Sequence, residues 1–368
     1  RDQYGSQSHS NIALASTCIC VNPLSMRAYR LRDLANELGV TPAAVSMALR
    51  NHPQVSEELR QRAQALARER HYVPNPVLAR LARFRKGRDG TVGAMPLALI
   101  IQPHPRFGSG TFNAAREVAV VKPIAETMGY VVRAYVQDDT LPLKQLVRIL
   151  DATGVEAILL GRLYDDQLLR AVDWERFSVV AWEAGWVPPP FHLVLPDLGQ
   201  EIIEAVRLCR DRGYQRVGAV LFRERLAPVD HFDRRAGLDY CAREMTGPSF
   251  RFSAVETRPD TRTDFDTWFN RFRPDAVIGQ TELVYWWLQQ RGLVPGRDCG
   301  FLLLHRTDEP ADPKISGFEN NLSLTARAAL RLLDSEVRNF ERGIPDIPQR
   351  VLLRMPWREG ETLPPRRA

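Results

Sequence analysis

Residues 31–56, LRDLANELGVTPAAVSMALRNHPQVS, constrain this chain more than any other stretch, because they spell two short helices joined by a sharp turn. Leu34, Ala35 and Leu38 share one face of a first helix, and Gly39 breaks it. Thr41 is placed to N-cap a second helix whose first residue is Pro42, where the missing N–H costs nothing. Val45 and Leu49 turn that helix inward. Its small first-turn residues Pro42, Ala43 and Ala44 let the backbone approach base edges, which is how the second helix of a helix-turn-helix docks in the major groove of DNA. A third helix is expected from Ser56, with Glu57 and Glu58 at the positive end of its dipole.

Helical pairs joined through glycine also occur where no DNA is bound, so the distribution of charge carries the argument further. Between Met26 and Asp89 there are 13 Arg and Lys against 6 Asp and Glu, whereas the whole chain carries a net +6. The basicity is therefore local to the segment that holds the helical pair, the electrostatic footprint of a phosphate-contacting module.

Beyond the third helix, Tyr72-Val73-Pro74-Asn75-Pro76 ends one helix and opens another, with Asn75 as N-cap, Pro76 in the first turn and a short helix expected over 77–82. With this segment the head resembles the lactose-repressor (LacI/GalR) family of bacterial transcription regulators. The resemblance is carried by Leu31, Asp33, Ala35, Gly39, Val40, Thr41, Val45, Ser46, Val55, Ser56, Tyr72, Pro74 and Asn75. It implies a DNA interface drawn from Leu31, Thr41, Pro42, Ala43, Ser46, Met47, Arg50, Asn51, Asn75, Leu81 and Ala82, with Leu81 wedged into the minor groove at a dimer axis. Two positions depart from the family pattern. Met47 stands where an arginine is usual and Arg50 where an asparagine is usual; methionine offers only apolar contact, for example to a thymine methyl, so the target site is expected to differ.

After Gly90 the pattern changes. Apolar runs at 97–101, 131–136, 157–160, 179–182, 217–222, 276–278 and 301–304 alternate with helical stretches at 114–128, 143–152, 200–212 and 283–291, the signature of parallel sheets with crossover helices. The expected fold class is α/β, a helix-turn-helix head on a two-lobed, Rossmann-like body that resembles a periplasmic binding protein. The expected domains are a leader over 1–29, the head over 30–74, a hinge helix and linker over 75–95, an effector-binding and dimerisation body over 96–360, and a tail over 361–368. By the family resemblance a small effector, a sugar or sugar derivative, binds between the lobes and controls operator affinity. By that resemblance Arg234 in Arg234-Arg235-Ala236-Gly237 matches the arginine that holds ligand hydroxyls or a carboxylate. Thr281 and Glu282 fall where the family has an asparagine-aspartate pair. Trp182 and Phe107, near strand ends, are candidates to stack on a sugar face, and Asp197 either touches the ligand or simply caps the helix that follows it.

The leader, with its apolar stretch Ile12–Val21, lacks the basic segment of a signal peptide; Met26 reads as the natural start and the residues before it as a disordered extension. The five cysteines are scattered without CxxC spacing, as in a reducing cytoplasm, and no metal or cofactor is expected. An enzyme finds little support: Gly108-Ser109-Gly110 begins a dinucleotide fingerprint, but Asn113 replaces its third glycine, and no HExxH, GxSxG or P-loop is present. A sugar-binding protein without regulatory work would leave the head and hinge unexplained. The sequence therefore reads as a homodimeric, allosteric repressor of a pseudo-palindromic operator, with no membrane association.

Overall fold

The computed structural model describes residues 29–49, 54–70, 72, 94–102, 110–138, 140–183, 185–222, 228–306 and 314–366, and its chain divides into two compact units, 1–80 and 81–368. In the first unit, α1 (Leu31–Leu38), α2 (Pro42–Ala48) and α3 (Glu57–Glu69) follow the expected order. Asp33 accepts a hydrogen bond from the Arg30 backbone N–H at 2.9 Å to open α1, and Gly39, at φ 69°, closes it in the left-handed conformation that residues with a side chain rarely adopt. Thr41 caps α2 by accepting from Ala44 N–H at 3.2 Å, and Ser56 caps α3 through Leu59 N–H at 3.3 Å. Leu34, Ala35, Val45, Ala48, Val55, Ala63 and Ala67 form the buried centre of this small unit. Each large member removed from water contributes about 1.5–3 kcal/mol before entropy is counted.

The second unit holds two six-stranded sheets. Lobe A has the order β2-β1-β3-β4-β5-β11 and lobe B the order β7-β6-β8-β9-β10-β12. The strands of lobe A are β1 (Met95–Ile101), β2 (Tyr130–Val136), β3 (Ala157–Leu160), β4 (Ser178–Trp182), β5 (His192–Pro196) and β11 (Arg350–Leu353). Those of lobe B are β6 (Arg216–Phe222), β7 (Arg251–Thr257), β8 (Ala276–Gly279), β9 (Gly300–Arg306), β10 (Gly317–Glu319) and β12 (Trp357–Arg358). Every pairing is parallel except β10 with β12. The central strands β3, β4, β5 and β8 are buried along their whole length, as a parallel sheet covered on both faces requires. An apolar cluster lies on each face of each sheet, so each lobe has its own core.

Helices α4 (Gly110–Thr127), α5 (Leu143–Ala152) and α6 (Gln167–Ala171) belong to lobe A. Lobe B carries α7 (Leu198–Asp211), α8 (Pro228–Tyr240), α9 (Thr263–Phe272) and α10 (Glu282–Gln290). The last helix, α11 (Leu322–Asn339), returns to lobe A and packs on β4, β5 and α4. The chain thus crosses between lobes three times, at 196–198, 319–322 and 353–357. Hydrogen bonds join these crossings side by side, Asp197 N–H to Leu353 O at 2.8 Å and Glu319 N–H to Pro356 O at 2.9 Å. Residues 361–366 lace back along lobe B: Phe301 N–H bonds Thr362 O at 2.7 Å, the Tyr214 hydroxyl bonds Pro364 O at 2.8 Å, and Leu363 is fully buried.

Candidate nucleic-acid interface and effector cleft

The head buries its apolar residues and leaves the start of α2 at the surface. Leu34 and Val45 anchor α1 and α2 against α3 with no exposed surface, while Thr41, Pro42 and Ala43 at the start of α2 are exposed. Ser46 and Met47 are half-buried, and both Met47 and Leu31 pack against the apolar centre. Arg70 pairs with Glu37 at 3.2 Å, tying the end of α3 to α1. Arg50, Asn51, Asn75, Leu81 and Ala82, with the expected hinge helix, lie outside the described residues, as does Phe107 of the body.

In an open parallel sheet, ligands bind beyond the carboxyl ends of the strands where the strand order reverses. That point is β1/β3 in lobe A and β6/β8 in lobe B. At the lobe A point, Gln102 spans the crevice: its Oε1 accepts from Tyr164 N–H at 2.6 Å and its Nε2 donates to Gln137 Oε1 at 2.7 Å. Beside it, Arg162 lies between two buried carboxylates, donating to Glu117 Oε1 at 2.8 Å and to Glu183 Oε2 at 2.9 Å. Glu183 stands at φ 64°, an uncommon backbone for a side-chain-bearing residue. Its Oε1 accepts from the Thr325 hydroxyl at 2.9 Å, which in turn accepts from the Trp182 indole N–H at 2.8 Å. Burial pushes the Glu117 carboxyl above its ordinary range, with Arg162 pulling the other way. Tyr164 and Trp186 meet edge to face with ring centres 5.5 Å apart on the same rim.

This placement alters the aromatic expectation. Trp182 has no exposed surface, sits in the apolar cluster under α11, and spends its N–H on Thr325, so it is a core residue tied to α11. Asp197 caps α7 by accepting from Gln200 N–H at 3.1 Å. At the lobe B point, Gln280 Oε1 accepts from Phe222 N–H at 2.7 Å and joins β6 to β8. Thr281 occupies the N-cap position of α10 without making a side-chain cap, and both it and Glu282 are partly exposed at the strand end. Arg234, on α8, is 2% exposed, and its Nη1 lies 3.4 Å from Glu201 Oε2 on α7. Its Nε and Nη1 have no hydrogen-bond partner. The neighbouring Asp233 bonds Arg350 of lobe A at 2.5 Å, so this end of α8 touches both lobes.

Sequence reasoning did not single out Glu117, Arg162, Glu183 or Gln102. A signal was present for Glu117, which stands on the same stripe of α4 as Ala114, Val121, Ile124 and Ala125, where a carboxylate has no packing role. Among the described residues, no cluster of three His, Cys, Asp or Glu is placed to hold a metal ion, and no helix is long and apolar enough to cross a membrane.

A helix-turn-helix head and a body of two parallel α/β lobes joined by three crossings define the class: a DNA-binding head with a periplasmic-binding-protein-like body. Residues 30–75 match the model of the bacterial regulatory proteins, lacI family. The match covers the helix-turn-helix head, and the two-lobed body is placed by its fold. The chain's fold is similar to that of the transcriptional regulator CelR in complex with cellobiose, at 19% identity and a TM-score of 0.54 over 91% of this chain and 99% of that one. It is also similar to the lac repressor dimer bound to operator and the anti-inducer ONPF, at 17% identity and a TM-score of 0.52 over 92% and 100% of the two chains. A transcription regulator like protein from Staphylococcus haemolyticus matches at 12% identity and a TM-score of 0.54 over 74% of this chain and 99% of its own. No curated protein sequence matches the chain.

Proposed function

We propose that this protein is a homodimeric repressor, acting in the cytoplasm, whose affinity for a pseudo-palindromic operator is set by a sugar or sugar derivative bound between lobes A and B. The observation that carries the reading is the head itself: the buried Leu34 and Val45 hold α2 so that Thr41, Pro42 and Ala43 are exposed at its first turn, within the locally basic segment. A two-fold protein reads a two-fold site, with one α2 in each half. Thr41, Ser46 and Arg50 are the proposed groove contacts, with Leu81 and Ala82 as the hinge residues that reach the minor groove. In the body, Arg234, Thr281 and Glu282 from lobe B and Phe107 from lobe A are proposed to face the effector.

The sugar class is supported by partly exposed polar groups at two strand-reversal points and by the cellobiose held in the CelR structure. An effector shifts DNA affinity only by binding one lobe arrangement better than the other. The three side-by-side crossings are where such a change of lobe angle is absorbed. Mobility shift with the intact chain and with residues 94–368 alone tests the reading: specific binding is expected from the first and none from the second. Retention of specific binding by the body alone would overturn it. Leu81→Ala is expected to weaken operator binding and DNA bending while leaving effector affinity unchanged, and unaltered bending would remove Leu81 from the interface.

A further inference from the structure

We infer that the lobe A wall of the cleft selects an effector that offers a hydroxyl or ammonium donor and rejects acids, and that Glu117 makes this selection. The inference rests on the cleft reading above and narrows its ligand class.

Glu117 is 5% exposed and lies at the β1/β3 reversal, where its Oε2 falls 3.6 Å from the point at which a side chain on Gly161 would begin. Its Oε1 is taken by Arg162, but Oε2 is buried without a hydrogen-bond partner. A buried carboxylate oxygen left unmatched is costly, and the group that relieves it is a donor, O–H or N–H. Both oxygens of Glu183 are engaged, one by Arg162 and one by Thr325, so Glu117 holds the open acceptor of this cluster. Arg162 bonds both carboxylates, and Arg116 adds a second positive charge toward Glu117, yet neither satisfies Oε2. A ligand carboxylate or phosphate brought against that oxygen sets acceptor against acceptor in a poorly solvated place, whereas a hydroxyl or an ammonium donates to it.

The lobe B wall leads to the same class independently. The Arg234 guanidinium, the group best suited to hold an acid, already lies beside the Glu201 carboxylate in a site with almost no solvent contact. Its unmatched Nε and Nη1 can donate to a ligand hydroxyl without changing the balance of charge, but a ligand carboxylate would place two anions around one cation.

The test uses the full-length protein and sugar sets built on one skeleton: the neutral aldose, its 2-amino counterpart and its uronic acid, on glucose and galactose frames and on disaccharides. Thermal shift identifies binders and calorimetry gives affinities. The neutral or amino member is expected to bind at least about 10-fold more tightly than the matching acid, about 1.4 kcal/mol. Glu117→Gln keeps the size of the side chain while removing its charge, and is expected to shrink that ratio by about 10-fold. Glu201→Gln supplies a second variant, expected to raise the affinity of the acid. An acid that binds the wild type as tightly as its neutral partner overturns the inference and leaves the cleft reading standing, as does a Glu117→Gln variant that folds and keeps the wild-type ratio. No response to any member of the sets overturns both.

Discussion

Arg234→Ala separates the structural role of the buried arginine from its proposed contact with the effector. Arg234 and Glu201 are 2% and 5% exposed and 3.4 Å apart, so truncating the arginine leaves a buried carboxylate without its guanidinium. Breaking such a pair from one side costs about 3–5 kcal/mol, whereas replacing both partners by apolar side chains of similar volume is often neutral or stabilising. For a body of this size the loss corresponds to a fall in Tm on the order of 10 °C. Arg234→Met combined with Glu201→Leu is expected to recover most of that loss. Thermal and urea unfolding of the wild type, Arg234→Ala, Glu201→Ala and the double variant close the cycle, and operator binding reports on the head separately. A single Arg234→Ala variant as stable as the wild type would refute the claim that the pair is an internally compensated ion pair. Effector affinity lost in the double variant with stability retained would then isolate the ligand contact.

Leu34→Ala is expected to cost about 3–5 kcal/mol in a head whose centre is only a handful of side chains, abolishing specific DNA binding while the body keeps its own thermal transition; loss of the body transition as well would contradict this. Thr41→Ala removes the α2 cap and is expected to cost about 1 kcal/mol in the head, read by urea unfolding of residues 26–72. Near the base of lobe A, burial and the neighbouring Glu341 push the Glu336 carboxyl up to about 7, while Glu336 Oε2 faces His192 Nε2 at 3.7 Å. A carboxyl raised in the folded state binds more protons than the unfolded chain between about pH 4.5 and 7, so stability falls as pH rises through that window and stays lowered above it. Glu336→Gln is therefore expected to be more favourable relative to the wild type at pH 8 than at pH 5, by on the order of 1–3 kcal/mol, and a difference independent of pH would exclude this cause.

Much of the fold was legible because its elements carry their own signals. The α1–α2 pair is written in Gly39, Thr41 and Pro42, and the buried strands β1, β3 and β4 read as unbroken apolar runs. The edge strand β7 and the three-residue β10 lack such runs. The helix α11 follows a stretch with no strand signal strong enough to show that the chain had returned to lobe A. The site was less legible for a physical reason. Arg162 and Glu183 are ordinary charged residues in sequence, and only the parallel pairing of β3 with β4 brings them within 2.9 Å. Trp182 shows the converse: its place at a strand end resembled a ligand wall, but α11 arrives from far along the chain to cover it with Thr325. Arg234 was marked by its local pattern, yet its partner Glu201 lies on a different helix, so its neutralisation could be seen only in three dimensions.

The exposed start of α2, repeated by a two-fold axis, is proposed to read DNA. Selection of binding sites from random duplex DNA by the intact chain, at fixed salt, tests it most directly. Enrichment of a two-fold-symmetric sequence is expected, bound by a dimer, with affinity that falls steeply as salt rises and that changes when a cleft ligand is added. Recovery of no enriched sequence, or of an asymmetric one bound by a single chain, would contradict it.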